Sequence, residues 1–211
     1  MSSDAPATPV NDVVVLRRRS IDRVLIALGL LTTVVLIVAG SLLTWGSNFA
    51  SDYVGRELRD QKINFPDEAT LKDEKRDDLV KYAGQQVSDG DQAEAYASYI
   101  QGHVQALSGG KTYAELGGPQ RAAQAAVDEA KKAGKTEAEL ATLQDTATKL
   151  SQQRETVYKG ETLRGLLLST YAWSTIGEIA GVAAVVAFVA AALMLVLVIL
   201  GVFHLRKHAA A

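Results

Sequence analysis

Two long uncharged runs constrain the fold of this chain more than any other feature. One covers residues 24–45 and is 22 residues long, and the other covers residues 179–203 and is 25 residues long. At about 1.5 Å per residue, even the shorter run forms a helix of about 33 Å, enough to cross a hydrocarbon core of roughly 30 Å. The sequence therefore predicts two transmembrane helices, 24–45 and 179–203.

A cleaved signal peptide is the alternative for the first run, because Arg17, Arg18 and Arg19 stand before it. The run is longer than the apolar part of a typical signal peptide, and no clear small-x-small cleavage site follows it. The nearest candidate, Asn48-Phe49-Ala50, has Asn where a small residue is expected. A transmembrane helix is therefore the favoured interpretation.

The charged residues at the two ends predict the orientation. Residues 1–23 contain four arginines, and residues 204–211 contain Arg206 and Lys207. Short flanks rich in Lys and Arg stay in the cytoplasm. We therefore expect a protein of the cytoplasmic (plasma) membrane with a disordered cytoplasmic tail over 1–23, an extracytoplasmic domain over 46–178 and a cytoplasmic tail over 204–211.

Composition narrows the classes of partner. Segment 46–178 carries 16 Lys and Arg against 21 Asp and Glu, so it offers no basic surface for nucleic acid. The chain has no cysteine, which excludes disulfides, thiolate metal sites and cysteine nucleophiles. The expected partners are the lipid bilayer and either another membrane protein or a second copy of this chain.

Periodic apolar residues predict helices in the first half of the external segment. One helix is expected over 77–87, with a break at Gly90, and the next is expected to begin with a capping box formed by Asp91 and Glu94. Gly109 and Gly110 then end this second helix. The residues expected to face inward are Leu79, Val80, Ala83 and Val87 in the first helix, and Ala93, Ala97, Ile100, Val104 and Leu107 in the second.

Capping signals divide the second half in the same way. Thr112 with Glu115 and Thr136 with Glu139 have the spacing of capping boxes. Gly117-Gly118-Pro119 predicts a break, and Gly134 is placed as the C-terminal cap of an alanine-rich helix. An apolar stripe marks the inward face of the last helix and consists of Leu140, Leu143, Ala147, Leu150 and Val157.

Both runs can continue outward as helices. No proline follows Thr136, so the last helix can pass unbroken into the second run, and the first run can extend to Phe65-Pro66. No segment has a clear strand pattern. The expected fold is all-α, with two transmembrane helices flanking an extracytoplasmic helical bundle.

Aromatic residues predict the outer membrane interface. Trp45 and Trp173 are the only tryptophans, and Tyr171 lies beside the second. Amphipathic rings of this kind collect at headgroup level, so these three residues are expected at that interface. Glu178 is expected to reach the headgroups from the edge of its span, and pairing with a partner is the alternative.

Gly177 and Gly181 form a G-x-x-x-G pattern that continues through Ala184, Ala187 and Ala191. Small residues at this spacing let helices approach closely. We expect this face to contact the first span, a second copy or another membrane protein.

No pattern of catalytic or metal-binding residues stands out. His103 is predicted outside the membrane and His204 and His208 inside, so the three cannot form one site. The mixed charges of 72–78 lack the D-x-D-x-D-G spacing of a calcium loop and are typical of a solvated helix face. Gly109-Gly110-Lys111 lacks the rest of a phosphate loop. We expect no cofactor, no bound metal and no enzymatic activity.

Several stretches resemble a family of uncharacterised actinobacterial two-span membrane proteins with an external helical domain. They are WGSNFASDYV, DLVKYAGQQV, DQAEAYASYI, GGKTYAEL and QRETVYKGETLRGLLLSTYAW. The resemblance covers residues 45–173 and is most specific in GETLRGLLL. It implies the same architecture, and it transfers no functional residue.

The sequence thus favours a non-enzymatic integral membrane protein that acts as an accessory or scaffolding subunit of a membrane or envelope complex. The alternative is an external sensor or ligand-binding module, because chemoreceptor sensing domains have a similar topology. The short cytoplasmic ends would then require a separate output partner. An envelope hydrolase is the least favoured class.

Overall fold

The computed structural model describes residues 18–207, which are helical nearly throughout. The elements of this range are α1 (Arg18–Gln61), α2 (Glu68–Asp73), a 3₁₀ helix (Asp77–Tyr82), α3 (Gly90–Ser108), α4 (Tyr113–Lys132) and α5 (Glu137–Lys207). The only pairing of strand type in this range is an isolated antiparallel bridge between Asn64 and Gln86. The all-α prediction is therefore confirmed.

Two of the helices, α1 and α5, are long and apolar enough to cross a membrane. α1 has 44 residues and α5 has 71. α1 begins at Arg18, inside the predicted 1–23 tail, because arginines are good helix formers and extend the apolar helix. Residues 1–17 and 208–211, which include the rest of that tail and His208, lie outside the described residues.

The chain divides into two compact units. The span unit contains α1 up to Trp45 and α5 from Gly181, and the helical unit is Gly46–Ala180. The helical unit has nearly the bounds of the predicted external segment.

In the span unit, α1 and α5 pack antiparallel through small residues. A Cβ added at Gly29 would lie 2.8 Å from Cγ2 of Val198, and one at Gly40 would lie 3.0 Å from the Phe188 ring. Ala184 and Ala191, two members of the predicted small-residue stripe, are buried here. Most other apolar side chains of this unit are exposed on all sides, which is typical of helices that face lipid.

The helical unit is held together by α3, which runs antiparallel to α5. The N-terminal Gly90 of α3 lies against Ser174, and Val104 near its other end lies against Gly160. The main apolar core is formed by these two helices, α1 and the segment between α1 and α3. Its buried residues are Val54, Leu58, Phe65, Leu71, Leu79, Val87, Ala93, Ala97 and Leu167.

The predicted helix over 77–87 is wrong beyond its first turns. The 3₁₀ helix ends at Tyr82, and Gly84 has a φ of +67°. The following chain pairs with the segment after α1, because the N–H of Val87 donates to the carbonyl of Ile63 at 2.8 Å. This long-range pairing competes with helix formation and prevails.

The start of α3 differs from the prediction by two residues. The N-cap is Asp89 rather than Asp91, and its carboxylate accepts the N–H of Gln92 at 2.8 Å. Gly90, predicted as a break, is the first residue of the helix and fits closely against Ser174. Leu107 was expected to face inward, but it lies near the end of α3 and is 57% exposed.

Gly117-Gly118-Pro119 does not break α4. The helix runs through all three residues, with Pro119 inside it. Gly117 is buried, and a Cβ there would lie 3.6 Å from the Arg154 guanidinium. The glycine therefore makes room for Arg154 on α5 instead of ending the helix.

The other local signals are confirmed. Thr112 and Glu115 form a capping box at the start of α4, and Thr136 and Glu139 exchange the same hydrogen bonds before α5. Gly134 has a φ of +65° and directly follows Ala133, the C-cap of α4. α5 is continuous, as predicted, and α1 ends at Gln61, four residues before the predicted limit.

Candidate functional site

An apolar groove of the helical unit lies between α1 and α5. We divide it into a proximal part, lined by Gly46 and Ala180, and a distal part. Glu57 of α1 and Thr170 of α5 line both parts, so the two adjoin.

The proximal part has a volume of about 370 Å³. It lies between α1 and α5, where Gly177 lets the two helices approach. The rings of Phe49 and Tyr53 stack at 5.9 Å beside it. Its remaining lining residues are Gly46, Ala50, Val54, Trp173, Ile176, Gly177 and Ala180.

The distal part has a volume of about 560 Å³ and is bordered by α3 as well. Leu163 and Leu166 of α5 line it and are 53% and 62% exposed. Its remaining lining residues are Leu58, Gln61, Ile63, Tyr96, Ile100 and Leu167. From Ala180 to Leu163 the groove follows 17 residues of α5, which is about 25 Å of helix.

Polar groups are few along this groove. Glu57 is the only charged residue that lines either part, and Thr170 and Gln61 are the main uncharged polar ones. The Thr170 hydroxyl donates to the carbonyl of Leu166 at 3.0 Å. Ligand pockets in proteins usually have volumes of roughly 300–1,000 Å³ and are lined mainly by apolar side chains with few polar groups. Both parts of the groove fit this description.

The two tryptophans predicted at one interface belong to different units, Trp45 to the span unit and Trp173 to the helical unit. In the span unit Gly40 faces Phe188, so five residues further along α1 Trp45 lies level with Ala183 on the antiparallel α5. Trp45 is 67% exposed next to the end of the first uncharged run, whereas Trp173 is a wall of the proximal groove.

The other predicted interface and contact residues are divided between the two units. Gly177 is buried, and a Cβ added there would lie 2.9 Å from the Cβ of Ala50 on α1. Gly181 belongs to the span unit and is partly exposed. Tyr171 is half-buried near Gly90, and Glu178 is exposed on α5.

A second, polar cleft of about 280 Å³ lies where α3 meets the chain after α2. His103 Nε2 is 3.6 Å from Glu74 Oε1, and the His103 ring packs edge-on against Tyr99 at 4.5 Å. Burial and a hydrogen bond with Glu74 raise the pKa of Tyr99 to about 12. His103 is therefore a partly exposed packing residue, as predicted from the sequence.

Arg76 lines this cleft, and its guanidinium donates hydrogen bonds to other groups of the protein. Its guanidinium donates to both oxygens of Asp78, at 3.0 and 2.8 Å, and to the carbonyl and hydroxyl of Ser98. The hydrogen bonds with Asp78 raise the pKa of Arg76 and lower that of Asp78. These contacts connect the 3₁₀ region to α3 and leave no cation directed at a ligand.

No metal-binding cluster is found in the range 18–207, where no group of three or more His, Asp or Glu side chains converges. Likewise, no buried side-chain nitrogen or oxygen atom of the described residues is without a hydrogen-bond partner. The groove is thus a better candidate for function than either the polar cleft or the acidic segment around Asp73.

Sequence reasoning missed the groove, although one signal was present. A stripe at intervals of three or four residues runs from the LRGLLLSTYAW stretch to just before Glu178 and consists of Leu163, Leu166, Thr170, Trp173 and Gly177. This spacing predicts one apolar face of a helix on the N-terminal side of Glu178.

Comparisons with protein-family models, with curated proteins and with solved structures gave no match to this chain. The resemblance to a two-span actinobacterial family therefore stays a prediction.

Proposed function

We propose that this chain is a non-enzymatic protein of the cytoplasmic membrane that crosses it twice and serves as an accessory or scaffolding subunit of a membrane or envelope complex. Both termini lie in the cytoplasm, and the helical unit lies outside. The apolar groove of that unit is its binding surface. The observation that carries the proposal is the groove itself, which places large exposed apolar side chains along about 25 Å of α5.

The membrane assignment is supported by the exposure of apolar side chains in the span unit. Val24 and Leu42 on α1, and Val182 and Leu193 on α5, are more than half exposed. Burying one such side chain is worth roughly 1.5–3 kcal/mol, so a bilayer around these helices stabilises the unit strongly. The arginines before the first span and Arg206 with Lys207 after the second support a cytoplasmic position of the ends.

The binding role is supported by the position of the groove, whose lining residues all belong to the helical unit. In the proposed topology this unit lies outside the membrane, so the bilayer does not cover these side chains. Contiguous exposed apolar surface in water marks a site of interaction.

Thiol accessibility in intact cells tests this function. Because the chain has no cysteine, Leu166→Cys and Gly165→Cys each introduce a single reactive thiol. Position 166 lies in the groove, whereas position 165 is exposed on the same turn of α5 and has no neighbour within 4 Å of its Cβ. We expect a membrane-impermeant maleimide to label position 165 rapidly and position 166 several-fold more slowly.

Each outcome has a distinct meaning. Slow labelling at 166 in cells and fast labelling at 165 supports an external unit whose groove is occupied. Equal rates at the two positions would show an empty groove and contradict the binding role. No labelling at 165 until the cells are permeabilised would contradict the orientation.

An external sensor or ligand-binding module is the second candidate, and the volumes of the two groove parts, about 370 and 560 Å³, favour it because they suit a small apolar ligand. A sensor changes state with its ligand, whereas a scaffold holds its partner constantly. A small apolar ligand that raises the melting temperature of the full chain in detergent would favour the sensor. A protein that remains bound in stoichiometric amount after gentle solubilisation of native membranes would favour the accessory subunit.

A further inference from the structure

We infer that the groove binds a free small molecule that combines an apolar body with one cationic amine group, and that this cation lies beside Glu57. The inference rests on the proposed binding role of the groove and names the class of its ligand. It is carried by the position of Glu57, by the aromatic lining of the proximal part and by the electrostatics of an occupied groove.

Glu57 interrupts the apolar stripe of α1 that faces the groove. This stripe lines the proximal part at helical spacing and begins with Gly46, Phe49, Ala50 and Tyr53. Glu57 follows Tyr53 by one turn, is exposed, and forms no ion pair within residues 18–207. Because Glu57 lines both parts, a ligand in either part lies next to its carboxylate.

The charge of Glu57 selects the charge of the ligand, since no other charged residue lines either part. A neutral apolar ligand would take water away from the carboxylate without replacing its hydrogen bonds, which costs free energy. An anionic ligand would add repulsion between like charges. An ammonium group instead donates charge-assisted hydrogen bonds to the carboxylate and replaces the lost hydration. The groove therefore favours a cation at this position.

Aromatic side chains in the same part of the groove favour the same ligand. Tyr53 and Trp173 line the proximal part together with Glu57, and Trp173 is 61% exposed. The faces of such rings attract cations, that of tryptophan most strongly, and they recognise alkylammonium groups. The Arg56 guanidinium lies 5.8 Å from the Tyr53 ring centre, but Arg56 lines neither part and so does not occupy the groove.

The rest of the lining determines the body of the ligand. Leu163, Leu166 and Ile176 line the groove and are more than half exposed. Covering these side chains with hydrocarbon is favourable, because it removes apolar surface from water. The volumes of about 370 and 560 Å³ suit a small molecule in either part. The ligand thus places its cation at the junction of the two parts and its apolar body in one of them.

Binding of three matched probes tests this inference with the full chain in an uncharged detergent at neutral pH. The probes are phenylbutylammonium, phenylbutanol and phenylbutyrate, which share an apolar body and differ in charge. Isothermal titration calorimetry measures their affinities, with the heat of mixing into empty micelles subtracted. Glu57→Gln removes the charge from the groove, and the control Asp52→Asn removes an exposed charge of α1 that lines neither part. Circular dichroism confirms that each variant is helical.

Exposed ion pairs and exposed cation–π contacts each strengthen binding by roughly two- to five-fold. We therefore expect the natural chain to bind the ammonium probe about tenfold more tightly than the alcohol, and the carboxylate probe more weakly than either. Glu57→Gln should reduce the preference for the ammonium to that of the cation–π contact alone, and adding Trp173→Leu should remove the rest. Asp52→Asn should leave the preference unchanged.

Equal affinities of the natural chain for the ammonium and the alcohol would overturn the inference. A preference that Glu57→Gln and Asp52→Asn reduce equally would overturn it as well, because the charge would then act from a distance and not within the groove. The absence of binding by all three probes would also contradict it.

The two proposals fail in different ways. If position 166 is protected from maleimide in cells but the purified chain shows no preference for the ammonium probe, the groove has another occupant. The binding role then stands and the inference of a cationic ligand is wrong. If position 166 is labelled as fast as position 165 in cells, the binding role itself fails.

Discussion

Gly177 shows how the size of one side chain sets the separation of two helices. The sequence presents it as half of a G-x-x-x-G face that is free to meet a partner. In the structure Gly177 packs against Ala50 of the same chain, and a Cβ added there would also lie 3.5 Å from the carbonyl oxygen of Ser47. The small size of Gly177 therefore serves a contact within the chain.

Replacing Gly177 by Leu tests this role. The added side chain has no space, because even its Cβ would lie 2.9 Å from the Cβ of Ala50. Overpacking of this kind typically costs about 1–3 kcal/mol. We expect thermal unfolding in detergent, followed by circular dichroism, to occur at a lower temperature. Gly165→Leu is the matched control and should not lower it; equal effects of the two variants would refute the contact.

The capping box at the start of α4 predicts a pH dependence. The backbone N–H and hydroxyl of Thr112 both donate to the Glu115 carboxylate at 2.8 Å, which lowers the pKa of Glu115 below its usual 4.5. The folded state therefore favours the ionised form. The resulting stabilisation is complete above pH 4.5 and is lost as the pH falls through the lower folded pKa.

Melting temperatures of the natural chain and of Glu115→Gln, measured from neutral to acidic pH, should reveal this loss. We expect the natural chain to be the more stable at neutral pH and the difference to shrink below pH 4.5. Thr112→Val removes one of the two donors and should make the difference smaller at neutral pH. A difference that stays constant with pH would show that the carboxylate charge contributes nothing.

Residues whose role depends on nearby sequence could be predicted, and those whose role depends on distant contacts could not. Thr112 with Glu115 and Thr136 with Glu139 act within one turn of helix, so their spacing alone is sufficient. Gly117 was misinterpreted because Arg154, 37 residues later, determines its surroundings.

At the level of elements, Arg154 is the main polar connection between α4 and α5. Its Nη1 donates to Gln120 Oε1 at 2.9 Å, its Nε donates to the Tyr113 carbonyl at 3.3 Å, and its guanidinium lies 3.9 Å from the Tyr113 ring centre. Leu116 and Val157 form a small apolar cluster with Val104 at the same end. One further side-chain hydrogen bond, from Gln120 Nε2 to Ser151 Oγ at 3.1 Å, joins the two helices.

Arg154→Ala should loosen α4 selectively. Hydrogen bonds and cation–π contacts of this type together contribute roughly 1–3 kcal/mol. Hydrogen exchange should therefore become faster in 113–132 and remain unchanged in 90–108. Lys149→Ala, which removes an exposed ion pair with Asp145 on α5, is the control and should change neither. Faster exchange in both helices would contradict a local connection.

The segment between α1 and α3 is the element that sequence reasoning described least well. The apolar spacing of Leu79, Val80, Ala83 and Val87 suits a helix, but three backbone hydrogen bonds pair this segment with residues after α1. They are Val87 N–H to the Ile63 carbonyl, Phe65 N–H to the Gln85 carbonyl and Gly84 N–H to the Pro66 carbonyl. The spacing of apolar residues within one segment carries no information about a distant segment that pairs with it over two or three residues. This pairing could therefore not be predicted.

For the whole molecule, composition and the two uncharged runs were sufficient to predict an all-α chain with two helices able to cross a membrane. The position of Trp173 in the wall of the proximal groove could not be predicted from them, because it depends on the register between α1 and α5. That register is set by close contacts such as Gly40 with Phe188 and Gly177 with Ala50. The groove between α1 and α5 depends on the same contacts between the two helices. The sequence shows only the apolar stripe on α5, because this stripe lies within a single helix.

The central claim is that α5 carries the helical unit on the outside and then crosses the membrane. Single cysteines along its exposed residues test this most directly: Gly165→Cys, Val182→Cys, Leu193→Cys and Arg206→Cys. The account predicts that an impermeant maleimide labels position 165 in intact cells and position 206 only after permeabilisation, while 182 and 193 react only in detergent. Labelling of 182 and 193 in intact cells, or of 206 before 165, would contradict it.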